Sequence, residues 1–385
     1  MRIALVTTDD RDERGLYDEP NPIFGTAIRA LLDGLERLQD CEIHLVCCAR
    51  KPLASPEKLA ENLYYHSLLV PQMGWLRTGY LGCIRAVRWK LREIGPDLVH
   101  GQGTERYCAM SAVHSGYPNV VTIHGNMARM SRFATNWREK MVFWLAARLE
   151  KHALRRTDGV FCNSIYTESV VNSQARRTWR VPNALRLLFF SPLQTRLASL
   201  KPVILNIGTV AAHKQQVEIL RWAKELHDQG LGFELRFMGP IDEASDYGRL
   251  FEKELAAARV RGYASHLGVQ GADELLRQLA QASALVHCSM EESFGLVVAE
   301  ALSRNLKFFG MNTGGVADIA LEVDGAELVD FDDWYELNHR VRRWIEGGCP
   351  QPRHAASAMR ERYHPDLVAR LHLEIYGEVL AGADA

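Results

Sequence analysis

Two glutamates eight positions apart frame the segment "EESFGLVVAE", residues 291–300. Glu292 and Glu300 lie on either side of Phe294-Gly295-Leu296, which opens an apolar helical pattern just after a strand expected at 284–288. Exposed N–H groups at such a helix start favour an anion such as phosphate. Eight helical steps span about 12 Å, enough to set the two carboxylates on either side of a diphosphate, each accepting hydrogen bonds from hydroxyls. Sugar and ribose groups present such hydroxyls. Two solvated glutamates are the plain alternative, but Glu300 falls within "GLVVAEAL", where an unpaired charge is costly.

Other candidates stand at predicted strand and helix ends. His124 closes a strand in "TIHG", as a ligand contact or as a satisfied structural histidine. Gly25 opens a helix in "NPIFGTAIRALLDGL". It reads as a turn that lets a phosphate or sugar approach the helix N-terminus, or as a plain helix-entry glycine. The first strand runs into Asp9-Asp10-Arg11 without G-x-G-x-x-G, so the dinucleotide fingerprint is absent.

The elements that must hold these residues alternate in type. Strands are expected at 3–7, 43–47, 98–100, 120–124 and 160–163, with amphipathic helices at 26–38, 81–94 and 137–154. The second half repeats the rhythm, with strands at 203–208, 235–239, 284–288 and 307–310 and helices at 217–229, 273–282 and 295–304. This alternation predicts an α/β architecture of parallel sheets covered on both faces. The pattern breaks in "FFSPLQTRLASLKP", near 192–202, which divides the 385 residues into two doubly wound domains. Ligands of such sheets bind beyond the carboxyl ends of the strands, so two facing domains make a cleft.

Composition narrows the class. With 47% hydrophobic and 24% charged residues the chain is an ordinary globular one, which excludes disordered and collagen-like proteins. The eight cysteines (41, 47, 48, 83, 108, 162, 288 and 349) form no C-x-x-C pair, so neither zinc nor a disulfide framework is expected. No apolar run approaches a membrane span, and "MRIALVTT" reads as an opening strand rather than a signal peptide. The expectation is a reduced, cytoplasmic protein. The net charge of −1 hides an asymmetry: residues 1–192 carry +7 and the remainder −8, and residues 51–192 alone carry +11. The basic stretch also holds Trp75, Trp89, Trp137 and Trp144. Basic and aromatic residues together suit the surface of an anionic membrane, with peripheral attachment at its inner face. The other reading is ordinary helix packing with solvated outer faces. No nucleic-acid module accompanies the charge, so nucleic acid is not an expected partner.

The segment around the two glutamates resembles the E-x7-E motif of the retaining glycosyltransferases of family 4, which have the GT-B fold of two facing Rossmann-like domains. Further matches follow in order over nearly the whole chain: "PDLVHGQG", "VVTIHGN", "VPNALRLLFFSP", "VILNIGTVAAHKQ", "NTGGVADI" and "RYHPDLVARLHLEIYGEVL". The resemblance implies an N-terminal acceptor domain at 1–192, joined by a terminal helix at about 364–385, and a C-terminal donor domain at 193–363. It implies transfer of a hexosyl unit from a nucleoside-diphosphate sugar, UDP- or GDP-linked, to an acceptor hydroxyl on a glycan or glycolipid. Anomeric configuration is retained and no metal or other cofactor takes part. His124, Lys214 and Glu292 are the implied catalytic residues. Donor contacts are implied for Gly25, Thr209, Lys214, Ser289, Glu292, Phe294, Gly295, Leu296 and Glu300, with Glu300 on the ribose and Glu292 on the sugar hydroxyls.

Two positions depart from the family pattern. Thr209 stands where an arginine is expected, which removes a charge-assisted hydrogen bond of roughly 1.5–3 kcal/mol, with His213 as the neighbouring substitute. The usual G-G-x-x-E ends in Asp318. These departures keep open a non-catalytic, degenerate subunit. A nucleotide-sugar epimerase of the same fold is the other rival, and the E-x7-E core argues against it.

Overall fold

The computed structural model describes every residue except Ser55, Gln72, Gly74, 194–200, 384 and 385. The middle of the expected interdomain segment and the last two residues of the expected terminal helix therefore lie outside the described residues. Two compact units are present, one built from Met1–Leu187 and the chain from Tyr363 onward, the other from Leu188–Arg362.

Among the described residues the first unit has eight strands: β1 (Arg2–Val6), β2 (Glu42–Ala49), β3 (Lys58–Ala60), β4 (Leu63–Leu69), β5 (Leu98–Gln102), β6 (Asn119–Ile123), β7 (Gly159–Cys162) and β8 (Thr178–Arg180). Their spatial order is β3-β4-β2-β1-β5-β6-β7-β8, and only the β3–β4 edge is antiparallel. Period-two alternation divides β1 between two cores. Ile3 and Leu5 join the cluster that contains Leu31, Leu35 and Tyr376, while Ala4 and Val6 join the one with Val87, Leu91 and Tyr107. The helix Pro365–Ala383 closes the first of these cores against the helix Thr26–Leu35. Their contact requires Gly34, because a Cβ there would fall 2.2 Å from the carbonyl oxygen of Pro365.

The second unit's sheet comprises β9 (Val203–Ile207), β10 (Glu234–Met238), β11 (Ala264–His266), β12 (Ala284–His287), β13 (Lys307–Met311) and β14 (Ala326–Val329). The order is β11-β10-β9-β12-β13-β14, all parallel. Chain order reverses between β9 and β12 here and between β1 and β5 in the first unit, and such switch points are where open α/β sheets bind ligands.

Several elements escaped the periodicity. β3, β8, β11 and β14 are only three or four residues long, and β4, "LYYHSLL", has an irregular burial pattern. The helix Asp246–Val260 buries only the narrow stripe of Gly248, Phe251, Leu255 and Ala258 under a charged surface.

Candidate functional site

At the second unit's switch point, three short segments meet. The loop after β9 delivers Lys214 on a single 3-10 turn, Ala212–Lys214. Its Nζ lies 2.5 Å from Glu292 Oε2, and His287, the last residue of β12, places Nε2 3.2 Å from the same oxygen. Burial alone pushes the Glu292 carboxyl up, but the His287 hydrogen bond and the Lys214 charge outweigh it and hold the group at about 2. Burial also lowers the pKa of His287, so at neutral pH it is an uncharged donor to a charged carboxylate.

The surrounding loops are locked to this pair. Ser289 Oγ donates to the carbonyls of Glu291 (2.8 Å) and His213 (3.2 Å), and Met290 N donates to His213 O at 2.7 Å. Gly315 N donates to Glu292 O at 2.8 Å. Gly314 has φ +53°, and a Cβ there would stand 1.9 Å from Glu292 O. Only glycine fits the backbone under Glu292.

The helix that follows is Leu296–Leu302, with Gly295 as its N-cap at φ +102°. The expected helical span from Glu292 to Glu300 is thus corrected. Glu292 stands in the loop before the helix, because the left-handed Gly295 stops the helix from extending backwards. Glu300 is on the helix and buried. Phe294 is buried too, so what it can present to a ligand is backbone rather than ring. The N–H groups of Leu296 and Val297 belong to the first turn, where no intrahelical acceptor is in register.

Thr209 is exposed, and its carbonyl accepts from Gln216 Nε2 at 3.0 Å. His213 does not supply the charge of the expected arginine: burial, then the Lys214 charge beside it, lower its pKa and keep it neutral. Asp318 sits in the first turn of the helix Val316–Ala320.

In the first unit, His124 is the first residue beyond β6. Its Nε2 lies 3.3 Å from Gln102 Oε1, and burial holds its pKa at about 4. Gln102 in turn touches His100, which is fully buried between Thr122 Oγ1 (2.7 Å) and Tyr376 Oη (2.6 Å). Contacts therefore run from the terminal helix to His124. Gly25 caps the helix Thr26–Leu35 at φ −54°, ψ 153°, and a Cβ there would meet nothing within 4 Å.

Two carboxylates near His124 escaped the sequence reading. Glu105 follows β5, and its Oε2 lies 2.4 Å from where a Cβ on Gly103 would be, with His124 Cδ2 3.5 Å from the same point. Burial raises its pKa against backbone hydrogen bonds from Glu105, Gly125 and Thr104. Glu150 lies on the helix Trp137–Arg156 and accepts from Thr104 Oγ1 at 2.6 Å and Asn126 Nδ2 at 2.8 Å. Burial lifts it to about 7. Its position on the stripe of Ala146, Ala153 and Leu154 was the available signal. A third cluster, Asp9 with Arg11 and Tyr65, is fully internal: Arg11 Nη2 meets Asp9 Oδ2 at 2.7 Å and Tyr65 Oη donates to the same oxygen at 2.7 Å. It fixes the loop after β1.

The tryptophans of the basic stretch divide. Trp75 is half-buried against the core, whereas Trp89, Trp137 and Trp144 are 59%, 70% and 55% exposed. Plain core packing thus accounts for one of the four. No group of three or more His, Cys, Asp or Glu among the described residues is arranged to hold a metal ion. No helix among them is long and apolar enough to cross a membrane.

Comparison with known proteins gives two family matches: Glycosyltransferase Family 4 over residues 25–187 and Glycosyl transferases group 1 over residues 192–362. A D-inositol 3-phosphate glycosyltransferase of Nocardioides sp. is 28% identical over 191 residues, 45% of this chain and only 41% of that relative's length. The sucrose-phosphate synthase of Thermosynechococcus elongatus superposes with a TM-score of 0.78 at 16% identity, covering 99% of this chain and 100% of the other. Anabaena Alr3699/HepE, solved in complex with UDP and glucose, gives 0.70 at 14% identity, covering 98% and 100%. These likenesses show the fold, which is GT-B.

Proposed function

We propose that this chain, which belongs to the glycosyltransferases of the family 4 type, moves a hexosyl unit from a nucleoside-diphosphate sugar to an acceptor hydroxyl with retention of configuration. The observation that carries this is the Lys214–Glu292–His287 group at a switch point, locked under the glycine loop. An arriving diphosphate competes with Glu292 for Lys214. The lysine then offsets phosphate charge, together with the N–H groups opening the helix Leu296–Leu302, and the released carboxylate accepts sugar hydroxyls. Glu300 holds the ribose. A similar fold solved with UDP and glucose supports a uridine nucleotide, with GDP the alternative. In this reading the reaction runs without a divalent metal, and the leaving phosphate oxygen takes the acceptor's proton.

The acceptor is a glycan or glycolipid, and the basic first unit with its exposed tryptophans supports peripheral contact with an anionic membrane from the cytoplasmic side. Sedimentation with anionic vesicles, but not neutral ones, tests that part.

Titration calorimetry with UDP and GDP tests the donor assignment. Glu300→Ala weakens the bound nucleoside diphosphate by roughly tenfold or more. Glu292→Ala leaves free nucleotide within about threefold and lowers sugar-nucleotide turnover by about 10²–10³. Equal loss of nucleotide affinity in both variants contradicts the assignment. One observation favours a second reading, a non-catalytic subunit: with Thr209 exposed and His213 neutral, Lys214 is left as the cation of the phosphate loop. Nucleotide binding without any turnover across a panel of sugars and acceptors would establish it.

A further inference from the structure

The first unit contains a groove of about 850 Å³, within the range of small-molecule sites, about 300–1,000 Å³. Its apolar lining comes largely from the start of the helix Trp137–Arg156, where Trp137, Met141 and Val142 are exposed. Contiguous apolar surface of this kind marks an interaction site more often than a lone exposed side chain does.

Four arginines line the same groove, and their partners differ. Arg50 pairs with Asp12 at 2.9 Å and Arg106 with Glu13 at 2.9 Å. Arg77 and Arg138, both exposed, have no carboxylate partner among the described residues, and Arg138 only stacks over the Trp137 ring at 5.6 Å. The groove thus offers two uncompensated guanidinium groups beside apolar surface. Guanidinium forks match phosphate oxygens. Glu105 also lines the groove. It follows the carboxyl end of β5, so the groove opens beside one of the strand ends of the first unit's switch point.

We propose that this groove holds the acceptor, and that the acceptor is an anionic amphiphile: one lipid-like molecule with a phosphate or diphosphate group on Arg77 and Arg138 and its apolar part along Trp137 and Met141. This rests on the transferase reading above. A neutral glycan satisfies neither arginine, and a free phosphate leaves the apolar wall in water.

Titration calorimetry on the full chain tests it, with dodecyl phosphate below its micelle concentration as the probe and dodecyl maltoside and inorganic phosphate as comparisons. Dodecyl phosphate binds at least about tenfold tighter than either comparison. The double variant Arg77→Ala/Arg138→Ala loses roughly tenfold or more of that affinity, and Met141→Ser loses a few-fold. Both variants keep the wild-type affinity for UDP, which shows that they are folded. Equal binding of the maltoside, or undiminished binding by the double variant, overturns the proposal. So does binding to anionic vesicles without any binding of monomeric dodecyl phosphate, which assigns the surface to the bilayer instead. A wild type that binds dodecyl phosphate but no nucleotide sugar removes the transferase reading and leaves the groove as an anionic-amphiphile site.

Discussion

The two units share a doubly wound frame yet treat their switch-point carboxylates in opposite ways. In the second unit, Glu292 meets a lysine and a histidine and stays charged far into acid. In the first, Glu105 is half-buried and Glu150 buried among hydroxyl, amide and backbone donors, and both hold their protons more tightly than usual. The frame is common; the chemistry follows from whether a cation touches the carboxylate, since Arg106 beside Glu105 is paired with Glu13 instead. The two loop glycines singled out by the sequence differ as well. Gly314 is wedged against backbone at positive φ, whereas Gly25 faces open space.

The wedged glycine gives the largest expected effect. In Gly314→Ala, the left-handed conformation costs about 1–2 kcal/mol, and overlap with Glu292 O adds roughly 1–3 kcal/mol. The loop must shift, and Glu292 moves with it. Thermal unfolding should show a destabilisation of ~2–5 kcal/mol, and sugar-nucleotide turnover should fall while free UDP stays within about threefold, as in Glu292→Ala. A variant with wild-type melting and turnover would mean that the glycine loop does not hold Glu292 in place.

This division also explains what could be read in advance. The residues of the second candidate site lie in short contiguous segments, 208–216, 287–300 and 313–318, so each segment can be picked out by its local motif. His287 is legible in principle, as a strand-end histidine five residues before Glu292. The first unit assembles Glu105, His124 and Glu150 from separate strand ends and a helix, and no local spacing joins them. Arg11 looks like a solvent-facing charge in "DDRDER", yet it is completely buried because Asp9 and Tyr65 receive it. Central strands were legible as short apolar runs buried along their length, β7 and β12 included at four residues, while the edge strands β3, β8, β11 and β14 break their few residues with charged or polar side chains.

An intermediate effect separates the carboxylates by pH. Glu150 is raised from 4.5 to about 7, first by burial and also by the Glu105 charge, against hydrogen bonds from Thr104 and Met127. The folded state therefore binds this proton more tightly than the unfolded state, and its contribution to stability improves as pH falls from about 7 to 4.5. Glu292, lowered from 4.5 to about 2, has the opposite sign: its stabilisation is complete above 4.5 and is lost as pH falls from there towards 2. Glu150→Gln imitates the protonated side chain. It should stabilise the protein at pH 8 by on the order of 2–3 kcal/mol and change little at pH 5, as read from urea unfolding. The same difference at both pH values would show that Glu150 is not the titrating group.

The smallest expected effect concerns Gly25, where the two readings of a helix-entry glycine can be told apart. Its φ of −54° and ψ of 153° suit any L-residue, and a Cβ would meet nothing, so neither strain nor packing demands glycine. Alanine is a poorer N-cap than glycine, so Gly25→Ala should cost only about 0.5–1 kcal/mol, while serine, a better cap, should match or slightly exceed the wild type. Stability thus moves in opposite directions in the two variants. Turnover need not follow it. If the open space at Gly25 is where the donor approaches the helix start, both side chains intrude on it, and both variants raise the KM for the nucleotide sugar several-fold despite their different melting temperatures. Kinetic constants that track stability, with Gly25→Ser as active as the wild type, would reduce Gly25 to a plain helix-entry residue and remove it from the donor site.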